Sequence, residues 1–121
     1  MKIHTVQELM DARLDWFENN AYCKGTWITQ RDALKKFQIW SKDRNLCQLE
    51  DIRLTELESY QRWLYHQTKT SGQSLSVIYQ HKLMQIVKSC FYWASEQQRI
   101  NYNPAMGLIM PRLPQRLPKA V

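Results

Sequence analysis

Apolar residues recur every three or four positions along most of the chain, a spacing that predicts helices rather than strands. The first segment is predicted to begin at Thr5 with a capping box. In this motif the hydroxyl accepts a hydrogen bond from a free backbone N–H of the first turn, and a glutamate three residues later accepts one from the backbone N–H of the capping residue. The second segment is predicted to begin at Thr29, which we expect to cap it. A third is predicted from a capping box at Thr55, and the longest runs from about Ser76 to Gln98.

These segments predict an all-α fold, a compact bundle of four main helices joined by short connections. A chain of 121 residues suits one domain that buries its core without disulfides or metal. The residues expected to face the core are Val6, Leu9, Met10, Phe17 and Ala21 in the first helix, Leu34, Phe37 and Trp40 in the second, Leu57, Tyr60 and Leu64 in the third, and Leu83, Ile86, Val87, Cys90, Phe91 and Ala94 in the fourth.

The C-terminal part of the chain differs from the rest because it holds all four prolines, Pro104, Pro111, Pro114 and Pro118. Proline fixes its own φ and disfavours helix in the preceding residue, so this run predicts an extended, semi-rigid tether. We therefore expect a helical domain over residues 1–102 and a basic, proline-rich linker over residues 103–121. Its apolar stretch Met106–Met110 either packs on the bundle or docks a further domain or a neighbouring protomer.

Charge is distributed unevenly along the chain, whose formal net charge is +6. Residues 1–71 hold 11 basic and 10 acidic side chains, a balance of +1, whereas residues 72–121 hold 6 basic side chains and one acid, a balance of +5. Such a basic half suits a nucleic-acid partner, since phosphate contacts supply most non-specific affinity. The alternative interpretation is a well-solvated basic surface.

The cysteines and the hydropathy of the chain indicate the cellular compartment in which the protein is expected. The three cysteines are odd in number, far apart and never in a C-x-x-C pair, which predicts buried free thiols in a reducing compartment. No apolar run approaches the length of a membrane span, and the start of the chain lacks the apolar core of a signal peptide. We therefore expect a cytoplasmic protein with no membrane partner.

The starts of the second and fourth helices are rich in cations and hydrogen-bond donors, and a helix N-terminus also suits phosphate. If the two starts lie side by side, they form one basic surface for double-stranded DNA. Gln30 and Gln80 are the candidates for base edges, because glutamine can pair with adenine. The predicted DNA-binding residues within the helical domain are Lys24, Thr26, Thr29, Gln30, Arg31, Ser76, Tyr79, Gln80, His81, Lys82 and Lys88, and those in the linker are Arg112 and Arg116. The alternative is that Thr29 and Ser76 only cap helices and the lysines are solvated.

Other chemistry finds little support. The histidines His4, His66 and His81 share no ligand spacing with one another or with a cysteine, so we expect no metal, and no cofactor motif is present. No nucleophile–base pair is evident, so no catalytic residue is proposed within the chain. The five tryptophans are expected mainly in the core and between helices.

The fourth helix ends in the aromatic cluster Phe91-Tyr92-Trp93-Ala94, followed by Asn103-Pro104-Ala105 and by a basic linker closing in Leu117-Pro118-Lys119. With the pattern from Thr29 to Trp40, these motifs resemble the N-terminal core-binding, SAM-like domain of tyrosine recombinases. That family comprises the phage-integrase and Xer-type site-specific recombinases. The similarity is specific from about Lys88 to Val121, where the linker is especially close to the Xer type, and looser elsewhere.

The resemblance implies a function in DNA integration and recombination. In the family, the helical domain sits in the major groove through its second and fourth helices, and the linker crosses the DNA to a catalytic domain. The parent enzyme forms a 3′-phosphotyrosyl DNA intermediate, but the residues that do so lie outside this chain, which we expect to be catalytically silent alone. The implied partners are double-stranded DNA at a recombination site, the catalytic domain of the same polypeptide and other recombinase protomers.

One position departs from the family pattern. Tyr79 falls where the family usually begins its fourth helix with threonine or serine, and Ser76 lies one turn earlier, so either residue is a candidate for the phosphate contact.

Two other classes of function stay open from the sequence, a helical protein–protein interaction module and a helix-turn-helix regulator. Against the regulator, no pair of short helices is joined by a tight glycine-containing turn.

Overall fold

The computed structural model describes residues 2–20, 22–67 and 76–109. Over these ranges the chain forms four α-helices, α1 (Val6–Asn19), α2 (Lys24–Asp43), α3 (Leu54–Tyr65) and α4 (Val77–Glu96), with one 3₁₀ turn at Leu49–Asp51. The only pairing of extended backbone in the described ranges is an isolated bridge between Thr5 and Gln48. The prediction of an all-α fold with four main helices is confirmed.

The first helix begins where the sequence predicts. The Thr5 hydroxyl accepts a hydrogen bond from the Glu8 N–H at 3.1 Å, which satisfies one of the free donors of the first turn. All the predicted inward residues of α1 that are described are buried, and Ala21 lies outside the described residues. The four acids of the helix are exposed on the opposite side: Glu8, Asp11, Asp15 and Glu18.

Two predicted helix starts are wrong. Helix α2 begins at Lys24 with Cys23 as its N-cap, so Thr29 lies in the second turn and donates its hydroxyl to the Gly25 carbonyl at 2.9 Å. Helix α3 is capped by Arg53, and the Thr55 hydroxyl donates to the neighbouring Glu56 carboxylate instead of capping. A threonine whose hydroxyl donates to a carbonyl one turn back can lie inside a helix, so Thr29 alone does not mark a helix start.

Helix α4 confirms its prediction. Ser76 is the N-cap and accepts from the Tyr79 N–H at 3.1 Å, and the helix ends at Glu96, two residues short of the predicted end at Gln98. Every residue of its predicted apolar stripe is buried. The inward residues predicted for α2 and α3 are buried as well.

Phe37 of α2 is the centre of the aromatic core. Its ring centroid lies 5.8 Å from that of Trp40, 5.0 Å from that of Tyr60 and 6.1 Å from that of Phe91, so one side chain joins α2, α3 and α4. Phe37 and Tyr60 are fully buried. Offset and edge-on ring pairs of this kind stabilise a core beyond the area they bury.

A buried arginine joins α1 to α4 and was not expected. Arg13 is 9% exposed, and its guanidinium carbon lies 4.5 Å from the ring centroid of Phe17, 5.0 Å from that of Trp16 and 5.2 Å from that of Trp93. Loss of hydration on burial lowers the pKa of Arg13. The faces of aromatic rings carry negative potential, so the three rings offset part of the cost of removing this cation from water.

The segment after α4 folds back onto the bundle. Asn103, Ala105 and Leu108 are buried, the Asn103 side-chain oxygen accepts from the Ala105 N–H at 2.9 Å, and Gly107 adopts a φ of 85° that favours glycine. The helical unit therefore extends at least to Leu108, beyond the boundary expected at residue 102. Residues 110–121, the greater part of the predicted linker, lie outside the described residues.

The apolar stretch predicted either to pack on the bundle or to dock a partner packs in part. Leu108 belongs to the core, whereas Met106 is 66% exposed and Ile109 is 82% exposed, and Met110 lies outside the described residues. Ile109, the last residue that the structure describes, borders a depression shared with Val77 and Gln80 of α4.

The expectation of buried thiols holds for one of three cysteines. Cys90 is buried in the core, while Cys23 and Cys47 are exposed, and all three are free. Cys23 and Cys47 lie at opposite ends of α2, in the segments that precede and follow the helix. The sequence spacing excluded a metal-binding pair but carried no information about exposure.

Candidate nucleic-acid interface

The start of α2 presents free backbone donors without an acid in its first turn. Lys24 is exposed there, and Thr26 and Gln30 are partly buried. The Thr26 hydroxyl lies 3.2 Å from the Cys23 sulfur, and hydrogen bonding from Thr26 lowers the pKa of that thiol. The N-terminus of α2 thus already stabilises negative charge at one point, as helix starts do in general.

Arg31 is exposed but carries a local partner. Its guanidinium lies 3.2 Å from the Asp32 carboxylate, with side-chain exposures of 45% and 65%, and 5.2 Å from the ring centroid of Trp27. An exposed ion pair of this kind exchanges readily for another anion because solvent screens it. Arg31 therefore retains its capacity to bind phosphate, in competition with one carboxylate.

Four cations follow one line along α2, which we call the α2 cation row: Lys24, Arg31, Lys35 and Lys42. They are spaced seven, four and seven residues apart, which places them on one face of a helix, and all four are exposed. The row runs for roughly 27 Å at the usual rise per residue. Lys35 and Lys42 were missed from the sequence, although they share a face with Arg31 within the helix predicted from Thr29.

The start of α4 carries both candidates for the phosphate contact. Ser76 is exposed and its hydroxyl already accepts from the Tyr79 N–H, while the Tyr79 side chain is 42% exposed. Gln80 is only 4% exposed, on the same side of the helix as Leu83 and Val87. This burial argues against Gln80 as a contact for base edges.

The opposite side of α4 is exposed over three turns, and we call it the α4 outer face: Ile78, Lys82, Gln85 and Ser89. A shallow depression beside it is lined by Gln85, Ser89, His81, Lys88 and Tyr92. Lys88 is half-buried, with its Nζ 3.5 Å from the Leu108 carbonyl oxygen and 5.8 Å from the ring centroid of Tyr92. Gln85 and Ser89 were missed from the sequence, although their spacing from Lys82 was visible.

The two helices pack against each other, with the rings of Phe37 and Phe91 at the contact. Their starts are held by different neighbours. The start of α2 lies beside the end of α1, where Glu18 and Lys24 line one depression, and the start of α4 lies beside the second half of α3. On α4 no acid occurs before Glu96, so the three turns of its outer face carry one cation, Lys82, and no negative charge.

Other chemistry gains no support from the described ranges, where no three His, Cys, Asp or Glu side chains lie close enough to hold a metal ion. None of the helices described is long and apolar enough to span a membrane. Arg112 and Arg116, the linker residues predicted to bind DNA, lie outside the described residues.

Known sequences and structures are similar to this chain over nearly its whole length. The sequence profile described as "Phage integrase SAM-like domain" matches residues 5–108. "Tyrosine recombinase XerC 2" from Ralstonia nicotianae is 32% identical over 112 residues, and "Tyrosine recombinase XerD" from Vibrio cholerae is 28% identical over 115 residues. Each alignment covers 93% of this chain but only 32% and 35% of the respective relative, so the chain spans about a third of their length.

Among solved structures, the N-terminal domain of a phage integrase/site-specific recombinase from Haloarcula marismortui superposes with a TM-score of 0.74. The superposition covers 91% of this chain and all of that domain, at 15% sequence identity. At this identity the match establishes the fold alone.

Proposed function

We propose that the chain, which belongs to the phage integrase SAM-like domain family, binds double-stranded DNA as the N-terminal part of a site-specific tyrosine recombinase. The observation that carries the proposal is the pair of exposed basic surfaces on α2 and α4, two helices that pack together. Cations spaced along a helix neutralise phosphates in succession, which supplies affinity independent of sequence.

The phosphate contacts are assigned to exposed cations. The α2 cation row supplies up to four, and Lys82 on the α4 outer face supplies a fifth. Lys88 is a weaker candidate because its ammonium group already lies near a carbonyl oxygen and a tyrosine ring. Ser76 and Tyr79 remain candidates at the start of α4, through the backbone donors of its first turn or through the tyrosine hydroxyl.

The chemistry of strand exchange is assigned to the rest of the parent protein. The relatives are tyrosine recombinases about three times as long as the aligned region, so a catalytic domain and other protomers are the further partners we propose. Ile109, the last described residue, lies beside Val77 in the first turn of α4, which supports a tether that continues from this end of the bundle. Joined to that continuation, the domain should bind more tightly through the raised effective concentration.

A salt titration of duplex binding tests the proposal, with fluorescence anisotropy of a labelled duplex as the measurement. If about five phosphates are neutralised, log K should fall with log salt at a slope of roughly −4.5, which is about a 500-fold loss between about 50 and 200 mM salt. Lys82→Ala should flatten the slope by about 0.9. Lys2→Ala is the matched control, since Lys2 is exposed but bonds Asn101 beside the other end of the bundle.

Two outcomes would count against the proposal. A protein-only interaction module would show no salt-sensitive DNA binding by the wild-type chain. An equal effect of the Lys82 and Lys2 substitutions would mean that binding follows total charge rather than the surface assigned here.

A further inference from the structure

We propose that the α4 outer face recognises A·T base pairs in the major groove, with Ile78 against a thymine methyl group and Gln85 on an adenine about three base pairs away. This inference rests on the proposed function and names the part of the DNA surface that sets sequence preference. It assigns base contact to two residues that the sequence did not single out.

The first observation is an exposed isoleucine on a charged surface. Ile78 is 59% exposed, lies outside the hydrophobic core and shares a helix face with Lys82, four residues further along. A large apolar side chain left in water beside a cation gains little for the fold. In a major groove the same side chain has an apolar partner, because the thymine C5 methyl group projects there.

The second observation is that the two glutamines of α4 differ in exposure. Gln80 is buried, whereas Gln85 is exposed and lines the depression on α4 together with Ser89. A glutamine amide pairs with adenine through two hydrogen bonds, in which its carbonyl oxygen accepts from the N6 amino group and its NH2 group donates to N7. Gln85 is therefore the glutamine of α4 that can reach a base.

The spacing of the two residues makes the inference specific. Ile78 and Gln85 are seven residues apart, which is roughly 10.5 Å along the helix axis. With about 3.4 Å between successive base pairs, an α4 lying along the groove would place the two contacts about three base pairs apart. Lys82 stands between them on the same face and Ser89 follows, so cationic and hydroxyl groups flank the two base contacts.

The occupant of this face is identified by its charge. No acid of α4 precedes Glu96, so no carboxylate of α4 lies on the three turns that would enter the groove, and Lys82 there attracts phosphate. A protein partner would have to be acidic and also accept an isolated isoleucine, whereas the major groove of duplex DNA combines phosphates with apolar methyl groups.

The experiment uses the full chain and two atomic changes to the DNA. Preferred sites are first selected from a pool of random duplexes, and each thymine or adenine of the selected site is then replaced by deoxyuridine or 7-deazaadenine. Removing the contacted methyl group should weaken wild-type binding about 4-fold. Removing the contacted adenine N7 breaks one of the two hydrogen bonds of a bidentate pair. Such a pair is worth about 5- to 150-fold in discrimination, and the affinity for the duplex should fall by a factor within that range.

Each variant should lose sensitivity to one change only. Ile78→Ala should bind the thymine and deoxyuridine duplexes equally while still discriminating 7-deazaadenine, and Gln85→Ala should do the reverse. Met106→Ala and Gln97→Ala are controls for an exposed apolar and an exposed amide side chain, since Met106 is 66% exposed after the end of α4 and Gln97 is exposed at its C-cap. Both controls should respond to the two DNA changes as the wild type does.

The outcomes separate this inference from the proposed function. Salt-dependent binding without an enriched sequence, or with variants that keep both sensitivities, overturns the base contacts and leaves DNA binding standing. Absence of any salt-dependent binding overturns both. Circular dichroism of each variant verifies that the helices are retained, which is expected because both side chains are exposed.

Discussion

Asp32 holds the guanidinium group of Arg31 in an ion pair on the α2 cation row, so its removal tests whether that row meets phosphates. The substitution Asp32→Asn keeps the size of the side chain and removes one negative charge. In the free protein little should change, because the pair has an N–O distance of 3.2 Å but side-chain exposures of 45% and 65%. Exposed pairs of this kind contribute about 0 to 1 kcal/mol to stability.

The effect on DNA binding should be larger than the effect on stability, and the substitution should strengthen binding. Without the carboxylate, Arg31 is fully available to a phosphate, and a repulsive charge has left the surface. The salt slope steepens by at most about 0.9, a value reached if Asp32 withholds Arg31 from phosphate completely and the wild type neutralises four phosphates instead of five. Taken relative to about 1 M salt, that change corresponds to roughly 8-fold tighter binding at about 0.1 M.

The assay is the same anisotropy titration, with Asp11→Asn as the matched control. Asp11 is exposed on the outer side of α1, so the control has the same net charge as the variant. Any general effect of charge is then common to both proteins, and the difference between their slopes reports the position of Asp32. Equal slopes for the two variants would refute the placement of α2 against phosphates.

Two further predictions concern the core and the thiols. Phe37→Ala removes the ring that joins α2, α3 and α4, so it should lower the free energy of unfolding by about 3 to 5 kcal/mol. The melting temperature, measured by circular dichroism, should fall by at least roughly 12 °C. A change of only a degree or two would contradict the assigned core. Burial raises the pKa of the Cys90 thiol to about 12, whereas hydrogen bonding from Thr26 lowers that of Cys23. Because the thiolate is the reactive form, iodoacetamide at about pH 8 should alkylate Cys23 well before Cys90, as followed by mass spectrometry. Thr26→Val should slow the reaction at Cys23, and equal labelling of the two thiols in the native chain would contradict their placement.

The fourth helix shows what the sequence could predict. A serine cap and an apolar stripe repeated over five turns defined its start and its buried side, because both signals are local and periodic. The same period extends the stripe backwards from Leu83 and Val87 to Gln80, so the burial of that glutamine was available from the pattern. Gln85 falls on the opposite side of the same period, so its exposure was available from the pattern as well.

The second helix shows where local signals fail. Gly25 lies in the first turn of α2, and a Cβ at that position would meet nothing within 4 Å. Thr29 has the side chain of a cap, but its hydroxyl is satisfied by a carbonyl within the helix. The predicted start left Lys24 outside the helix, so the first member of the α2 cation row was not visible. The burial of Arg13 follows the period of Leu9, Met10 and Phe17, whereas the exposure of Cys23 depends on packing between helices.

Charge on the outer sides of the helices also fixes how the domain would approach DNA. The exposed side of α1 carries four acids, and its one cation, Arg13, is turned inward among aromatic rings. The exposed sides of α2 and α4 carry cations with few acids beside them. A rigid body with such an asymmetric charge distribution is oriented by the field of the duplex before contact, because the phosphates attract one side and repel the other. On the proposed mode of binding, the acids of α1 would orient the domain without touching DNA. Replacing Glu8 and Asp15 with glutamine and asparagine should raise affinity modestly at low salt, by long-range attraction, yet leave the preferred sequence unchanged.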